Sequence, residues 1–221
     1  MKGTVHYEVK DGVAILTVDN PPVNPLSDGV RAGLVDNIKK AEEDSDIIGV
    51  VLTGAGRSFI AGADISEFGK SPDGPGLDEA FKSLEFCSKP VVAAINGSAL
   101  GGGLETALVC NYRIAGPAAF VGLPEVNLGL LPGAGGTQRL PRLVGPAEAL
   151  KMMLTGMHVN AKKALDMGII DEISDDLIND SVSFIKKVSS ESKDHPKVRD
   201  LNEKVLEARG SENILLEAKA M

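Results

Sequence analysis

Only two cysteines, Cys87 and Cys110, occur in the 221 residues. Two are too few for a disulfide framework or a four-cysteine zinc site. A basic excess is also missing: 23 Lys and Arg stand against 31 Asp and Glu, a net charge of −8. A general nucleic-acid binder would carry a basic patch or stripe, so that class is set aside. The acidity does not exclude an anionic ligand held by a few local donors, but it offers that ligand no long-range attraction. No apolar run approaches the ~20 residues needed to span a bilayer. Met1, Lys2 and Gly3 lead into polar residues and a short strand-like run rather than a signal-peptide core. The three histidines, His6, His158 and His195, are scattered, and no His/Cys cluster suggests a metal. Together these absences predict a soluble protein of a reducing compartment.

With 43% apolar residues the chain has enough to bury a substantial core. Val13-Ala-Ile-Leu-Thr-Val18 reads as a strand, closed by Pro21 and Pro22, which cannot continue a ladder. Ser27 reads as an N-cap, and the spacing of Val30, Leu34, Val35 and Ile38 predicts a helix over residues 28–43. The run Ile47–Thr53 reads as a strand apolar on both faces, suited to a sheet covered on both sides. Residues 69–76 are too rich in Pro and Gly for regular structure. Leu77–Cys87 reads as a helix with Ala80, Phe81, Leu84 and Cys87 on one side. Pro90–Ile95 reads as a third strand and Tyr112–Ala115 as a fourth. Strand and helix alternate, which indicates an α/β architecture.

The stretch 97–136 carries the chemistry, with ten glycines among mainly apolar residues. Gly101, Gly102 and Gly103 let backbone approach a ligand closely. They open a helix that is apolar nearly all round and therefore buried. Free N–H groups at such a helix start suit a developing negative charge. Glu105 sits in its first turn. On an exposed helix that would be an ordinary partner for the helix dipole. Among Leu104, Ala107, Leu108 and Val109 the carboxylate is costly to desolvate, which points to function. Glu125 repeats the pattern, with apolar flanks and Pro124 just before it. Alone it reads as a turn acid. As a pair around one water, two carboxylates have their protonation equilibria pushed apart, so one serves as base and one as acid.

Three segments are more specific: Phe59-Ile-Ala-Gly-Ala-Asp-Ile65, Asn96-Gly-Ser-Ala-Leu-Gly-Gly-Gly-Leu-Glu105, and Leu123–Arg139 with its Gly133-Ala-Gly-Gly-Thr-Gln-Arg139 ending. In order and spacing the chain resembles the enoyl-CoA hydratase/isomerase (crotonase) superfamily from about Val13 to Asp171. The resemblance implies a spiral of strand-strand-helix units and a C-terminal helical appendage. It implies an oxyanion hole from the backbone N–H groups of Ala63 and Gly102, and acid/base roles for Glu105 and Glu125. It also implies that Ala61, Gly62, Ala63, Asp64 and Ile65 lie along coenzyme A, with Gly102 at the thioester. No cofactor is implied beyond the coenzyme A of the substrate. Asp64 also has a structural reading, as the cap of a following turn. The expected reaction is addition of water to 2-enoyl-CoA in fatty-acid β-oxidation, with Glu105 activating water and Glu125 protonating C2. The alternatives are a double-bond isomerase using the same site, or a non-catalytic acyl-CoA- or RNA-binding member of the fold. Localisation would be cytoplasmic in a bacterium, peroxisomal or mitochondrial in a eukaryote.

Weaker signals are read as structural. Gln138 stands where a dinucleotide fingerprint needs its third glycine, so residues 133–138 read as a turn into a helix near Thr137. Arg57 and Lys70 read as solvated surface charges. Asn111 and Thr106 depart from residues common in the family without touching its acids. Near residue 174 the composition shifts, since 24 of the 25 glycines lie at or before Gly168. The chain therefore divides into a catalytic core, 1–174, and an amphipathic helical appendage, 175–221. Ile178, Val182, Ile185, Val198, Leu201 and Val205 should pack against the core or a partner. The wording of the core is most similar to the amino-terminal hydratase part of multifunctional β-oxidation enzymes. The expected partners are accordingly a following 3-hydroxyacyl-CoA dehydrogenase part, or further copies in a trimer or hexamer.

Overall fold

A computed structural model describes residues 2–67, 69, 73–192 and 194–209. Strands β1 (Thr4–Lys10) and β2 (Val13–Asp19) form an antiparallel hairpin, followed by α1 (Asp28–Glu43). Three strand-strand-helix units follow. They are β3 (Gly49–Gly54), β4 (Ser58–Ile60) and α2 (Leu77–Glu85); β5 (Val91–Ile95), β6 (Ser98–Leu100) and α3 (Gly102–Val109); and β7 (Tyr112–Ala115), β8 (Phe120–Gly122) and α4 (Gly136–Val144). The chain continues through α5 (Pro146–Thr155), β9 (His158–Asn160), α6 (Ala161–Met167), β10 (Glu172–Ile173), α7 (Leu177–Glu191) and α8 (Glu203–Arg209).

The first strand of each unit joins a six-stranded sheet, β1-β2-β3-β5-β7-β10, and the second joins a four-stranded sheet, β4-β6-β8-β9. Between successive units all pairings are parallel; β1 and β9 pair antiparallel at the edges. This is the spiral that the sequence resemblance implied. Each turn of the spiral brings the end of a second strand and the start of the next helix to the same place, which is where the glycine-rich segments lie.

Strict alternation explains the large sheet. Ala14, Leu16, Val18, Val50, Leu52, Val91, Ala93 and Ile95 point into the main core. Val13, Ile15, Val51, Val92, Ala94 and Ile114 point the other way. Both faces are apolar, as expected from Ile47–Thr53, so both need cover. Val182 and Ile185 of α7 supply it on the second face, with Ile178 packed beside them. Each such side chain contributes about 1.5–3 kcal/mol on full burial. Farther along, Val198 is buried, Leu201 packs on the main core, and Leu206 is exposed. The division expected at residue 174 falls between β10 and α7, and α7 is itself a wall of the sheet.

Helix α1 has its predicted bounds, and Ser27 is its N-cap residue, but the Ser27 side chain makes no capping bond. Its hydroxyl accepts from Asn20 instead. The amide of Asp28 is satisfied from a distance by Glu67 Oε1 at 2.8 Å. Among the described residues no helix is long and apolar enough to cross a membrane.

Candidate active site

Helix α3 is the pivot of the site, with all eight of its residues buried. Its N-cap, Gly101, has φ 53° and ψ −123°, a conformation closed to L side chains, and donates to the Gly122 carbonyl at 2.9 Å. A β-carbon there would also stand 3.1 Å from Glu125 Oε1. As the first residue of the helix, Gly102 has an amide with no intrahelical acceptor. A β-carbon on Gly102 would lie 3.3 Å from the Ala63 nitrogen, so the two proposed donors stand side by side. Thr106 donates its hydroxyl back to the Gly102 carbonyl at 2.7 Å and ties down the first turn.

Glu105 is 3% exposed. Its Oε1 accepts two backbone N–H bonds, from Ala134 and Gly136, each 2.8 Å long. Burial pushes the Glu105 carboxyl above its ordinary range; the two amides and the Arg139 charge pull it back. The segment 133–136 does form the expected turn into α4. Its second role, as a clamp on Glu105, was not read from the sequence. Gly136 keeps that clamp close, since a β-carbon there would meet Glu105 Oε1 at 3.0 Å.

Glu125 enters from the other side, in a 3-10 turn, Pro124–Leu128. Its Oε2 is buried and meets no hydrogen-bond donor among the described residues. Burial pushes its carboxyl up, its own backbone amide lowers it, and the nearby Glu105 charge raises it further. The two acids thus occupy unlike environments. One is cradled by amides, which favours its charged form; the other has an unpartnered oxygen, which favours its neutral form.

The segment Ala61–Ile65 closes the third side. It runs beside Leu26 in a parallel bridge, with Leu26 donating to the Gly62 carbonyl at 2.9 Å and Ala61 donating to Val23 at 3.1 Å. The Asp64 carboxylate accepts from the Ser66 amide at 2.9 Å and so caps the following turn, Ile65–Glu67. Glu67 pairs with Arg31 at 2.7 Å and anchors the end of that turn to α1.

These segments enclose a cavity of about 240 Å³. Ala61, Gly62, Ala63, Ile65, Gly102, Glu105 and Glu125 all line it; Asp64 does not. Leu128, Leu130 and Leu131 add an apolar wall that is exposed on its outer side. A larger cavity of about 590 Å³ adjoins it through Leu77, Gly133 and Ala134, and is lined by Glu85, Arg139, Arg142 and Arg199. Among the described residues no three His, Cys, Asp or Glu side chains are grouped to hold a metal.

The weaker candidates stand apart. His6 pairs with Asp19, His158 stacks on Phe120, and His195 meets the Tyr112 hydroxyl. Arg57 is exposed, and Lys70 lies outside the described residues. Burial raises the thiols of Cys87 and Cys110 to about 11 and about 12, which leaves them unreactive. Asn111 accepts from the Val91 amide at 2.8 Å and donates to Pro196 at 3.1 Å, a structural role.

Comparison with known proteins gives the family and fold. The profile of the Enoyl-CoA hydratase/isomerase family matches residues 8–218. A peroxisomal bifunctional enzyme of Danio rerio is 51% identical over 170 residues, covering 76% of this chain and 24% of that protein. A probable enoyl-CoA hydratase of Bacillus subtilis is 44% identical over 173 residues, 75% of this chain and 67% of that one. An enoyl-CoA hydratase structure from Bacillus anthracis superposes with a TM-score of 0.79 at 30% identity, covering 98% of this chain and 88% of the other. The chain spans about a quarter of the length of the bifunctional and multifunctional relatives it matches.

Proposed function

The chain belongs to the enoyl-CoA hydratase/isomerase family, and we propose that within it the protein is a 2-enoyl-CoA hydratase, forming 3-hydroxyacyl-CoA in fatty-acid β-oxidation. The observation that carries this reading is the pair of unequally treated carboxylates, Glu105 and Glu125, lining one small cavity. Hydration needs a base for water and an acid for C2. A site with one glutamate amide-bound and the other carrying an unpartnered buried oxygen supplies both.

In this reading the thioester carbonyl oxygen sits between the amides of Ala63 and Gly102. Attack at C3 builds enolate charge on that oxygen, and each fixed donor lowers the barrier by ~3–4 kcal/mol. Glu105, ionised, takes one proton from the attacking water as its oxygen bonds to C3. Glu125, protonated, then delivers a proton to C2 and the enolate collapses to the thioester. Passing the gained proton from Glu105 back to Glu125 resets the site. The backbone of Ala61–Ile65 lies along coenzyme A, with Asp64 shaping the turn rather than touching the reacting atoms. A dehydrogenase part of the same protein, or further copies of this chain, are the partners that the sequence resemblance implies.

The test is direct. Crotonyl-CoA mixed with the protein should lose its enoyl absorbance and gain the mass of one water. A 3-enoyl-CoA converted while 2-enoyl-CoA stays untouched would replace hydration by isomerisation.

A further inference from the structure

Glu85, on α2, is 3% exposed and does not line the cavity of the two carboxylates. It grips Arg139 with both oxygens: Nε to Oε1 and Nη2 to Oε2, each 2.9 Å. Arg199 adds a third bond to Oε2 at 3.2 Å. Buried ion pairs are weak sources of stability, because desolvation offsets their attraction, so this one calls for another reason.

The reason lies one residue layer away. Arg139 Nη1 donates to the Ala134 carbonyl at 3.3 Å. The guanidinium also lies over Gly135, where a β-carbon would stand only 2.1 Å from Nη1. Gly135 itself has φ 102°, which few other residues adopt. On its far side the same loop presents the amides of Ala134 and Gly136 to Glu105 Oε1. Three consecutive residues are thus pressed between a fixed cation and the carboxylate to which the outer two, Ala134 and Gly136, donate.

We propose that Arg139, locked in place by Glu85, is a positioning residue for Glu105, holding the 134–136 amides on Oε1 and setting a permanent positive charge behind them. The bidentate fork matters, because its planar N–H pair meets both carboxylate oxygens in one fixed geometry, which a rotatable ammonium does not hold. The charge matters too: among the described residues, Arg139 is the charged group that lowers the Glu105 carboxyl against its burial. Apart from Glu125, the other charges around α3 are engaged elsewhere or exposed. Glu125 faces Glu105 across the cavity. On α2, Lys82 pairs with Asp78 at 2.7 Å, and Glu79 is exposed. On α4, Arg142 bonds the Leu201 carbonyl. At the far end of α3, Arg113 bonds Cys110 and Asp171. On the 61–67 segment, Asp64 caps its turn and Glu67 holds Arg31.

This inference uses the hydratase reading only for its kinetic arm. The deciding measurement is a titration of carboxyl-¹³C-labelled glutamate by NMR, with the Glu105 resonance identified by its loss in Glu105→Gln. In Arg139→Gln the Glu105 midpoint should move to higher pH. In Arg139→Lys, which keeps the charge but loses the fork, it should rise by less than in Arg139→Gln. In Glu85→Gln, which loosens the guanidinium that holds the amides in place, it should also move to higher pH. The acid limb of kcat/KM for crotonyl-CoA hydration should follow the same order, and Arg139→Gln should lose ~10²-fold in kcat through misplacement of the base. A Glu105 midpoint unchanged in folded Arg139→Gln overturns the proposal, as does a midpoint that stays put or falls in Glu85→Gln. A wild-type protein that hydrates nothing would remove the proposed function while the titration still decided this one.

Discussion

A β-carbon on Gly103 would lie 1.8 Å from the carbonyl oxygen of Ile60, so α3 rests directly on the backbone of β4. That contact sets the height of the helix and therefore of Glu105, two residues on. Neither partner is the flexible end of a side chain, so nothing can swing aside. Gly103→Ala should destabilise the fold by about 1–3 kcal/mol, the usual cost of overpacking a filled core. Thermal unfolding would read this as a drop of several degrees for a chain of this size. An unchanged Tm would show that α3 can lift off β4.

Replacing either acid by its amide should separate chemistry from folding. Glu105→Gln keeps an oxygen to accept from Ala134 and Gly136, so the clamp survives while the base is lost. Both Glu105→Gln and Glu125→Gln should slow crotonyl-CoA hydration by ~10²–10⁴-fold with near-native circular dichroism. Near wild-type rates in either variant would remove that residue from its role.

Gly102 answers a different question. A β-carbon there would stand 3.1 Å from Leu26 Cδ1 and 3.3 Å from the Ala63 nitrogen, tight but without backbone overlap. Gly102→Ala keeps the N–H and should retain measurable activity. Gly102→Pro removes the donor and should all but abolish turnover, its folding checked by thermal melt. Equal rates for the proline variant and the wild type would move the oxyanion hole elsewhere.

The pH–rate profile should be bell-shaped, with both limbs above the ordinary glutamate value of 4.5, because both carboxyls are shifted upward. Activity falls on the acid side as Glu105 is protonated, and on the alkaline side as Glu125 loses its proton. An acid limb centred in the ordinary carboxylate range would show that the base is not buried Glu105.

Stability should run against activity at Glu125. Its folded-state carboxyl is raised, so its stabilising contribution is complete below the unfolded value and is lost as pH rises through the folded one. Glu125→Gln cannot ionise and escapes that loss. The variant should melt higher than the wild type near pH 8 and lose the advantage below the ordinary carboxylate range. A lower melting temperature at pH 8 would mean that Glu125 makes favourable contacts as an anion.

Four strands of the large sheet (β2, β3, β5 and β7), α1, α2 and the buried helix after Gly103 were legible from apolar period and length alone, whereas the edge strands β1 and β10 were not. The four-stranded sheet was not. Its strands β4, β6, β8 and β9 have three residues each, too few to carry an alternation, and they exist because each unit of the spiral lays one beside the last. The C-terminal helices were visible as amphipathic. That α7 forms the second cover of the large sheet depended on which face of β2, β3 and β5 the first layer left bare.

The site divides in the same way. Residue type and spacing along one chain were enough to mark Glu105, Glu125 and the glycines 101–103, because a carboxylate among apolar neighbours is a cost that local sequence already exposes; the 61–65 segment was marked only by the family resemblance. Ser27 was marked as a cap by local sequence too, yet the bond to the helix came from Glu67, far along the chain. The clamp of Ala134 and Gly136 on Glu105, the guanidinium laid over Gly135 and the unpartnered oxygen of Glu125 join residues tens of positions apart. No local pattern encodes them. They arise when the spiral brings separate turns into contact, and only there does the dielectric around each carboxyl, and hence its chemistry, take its value.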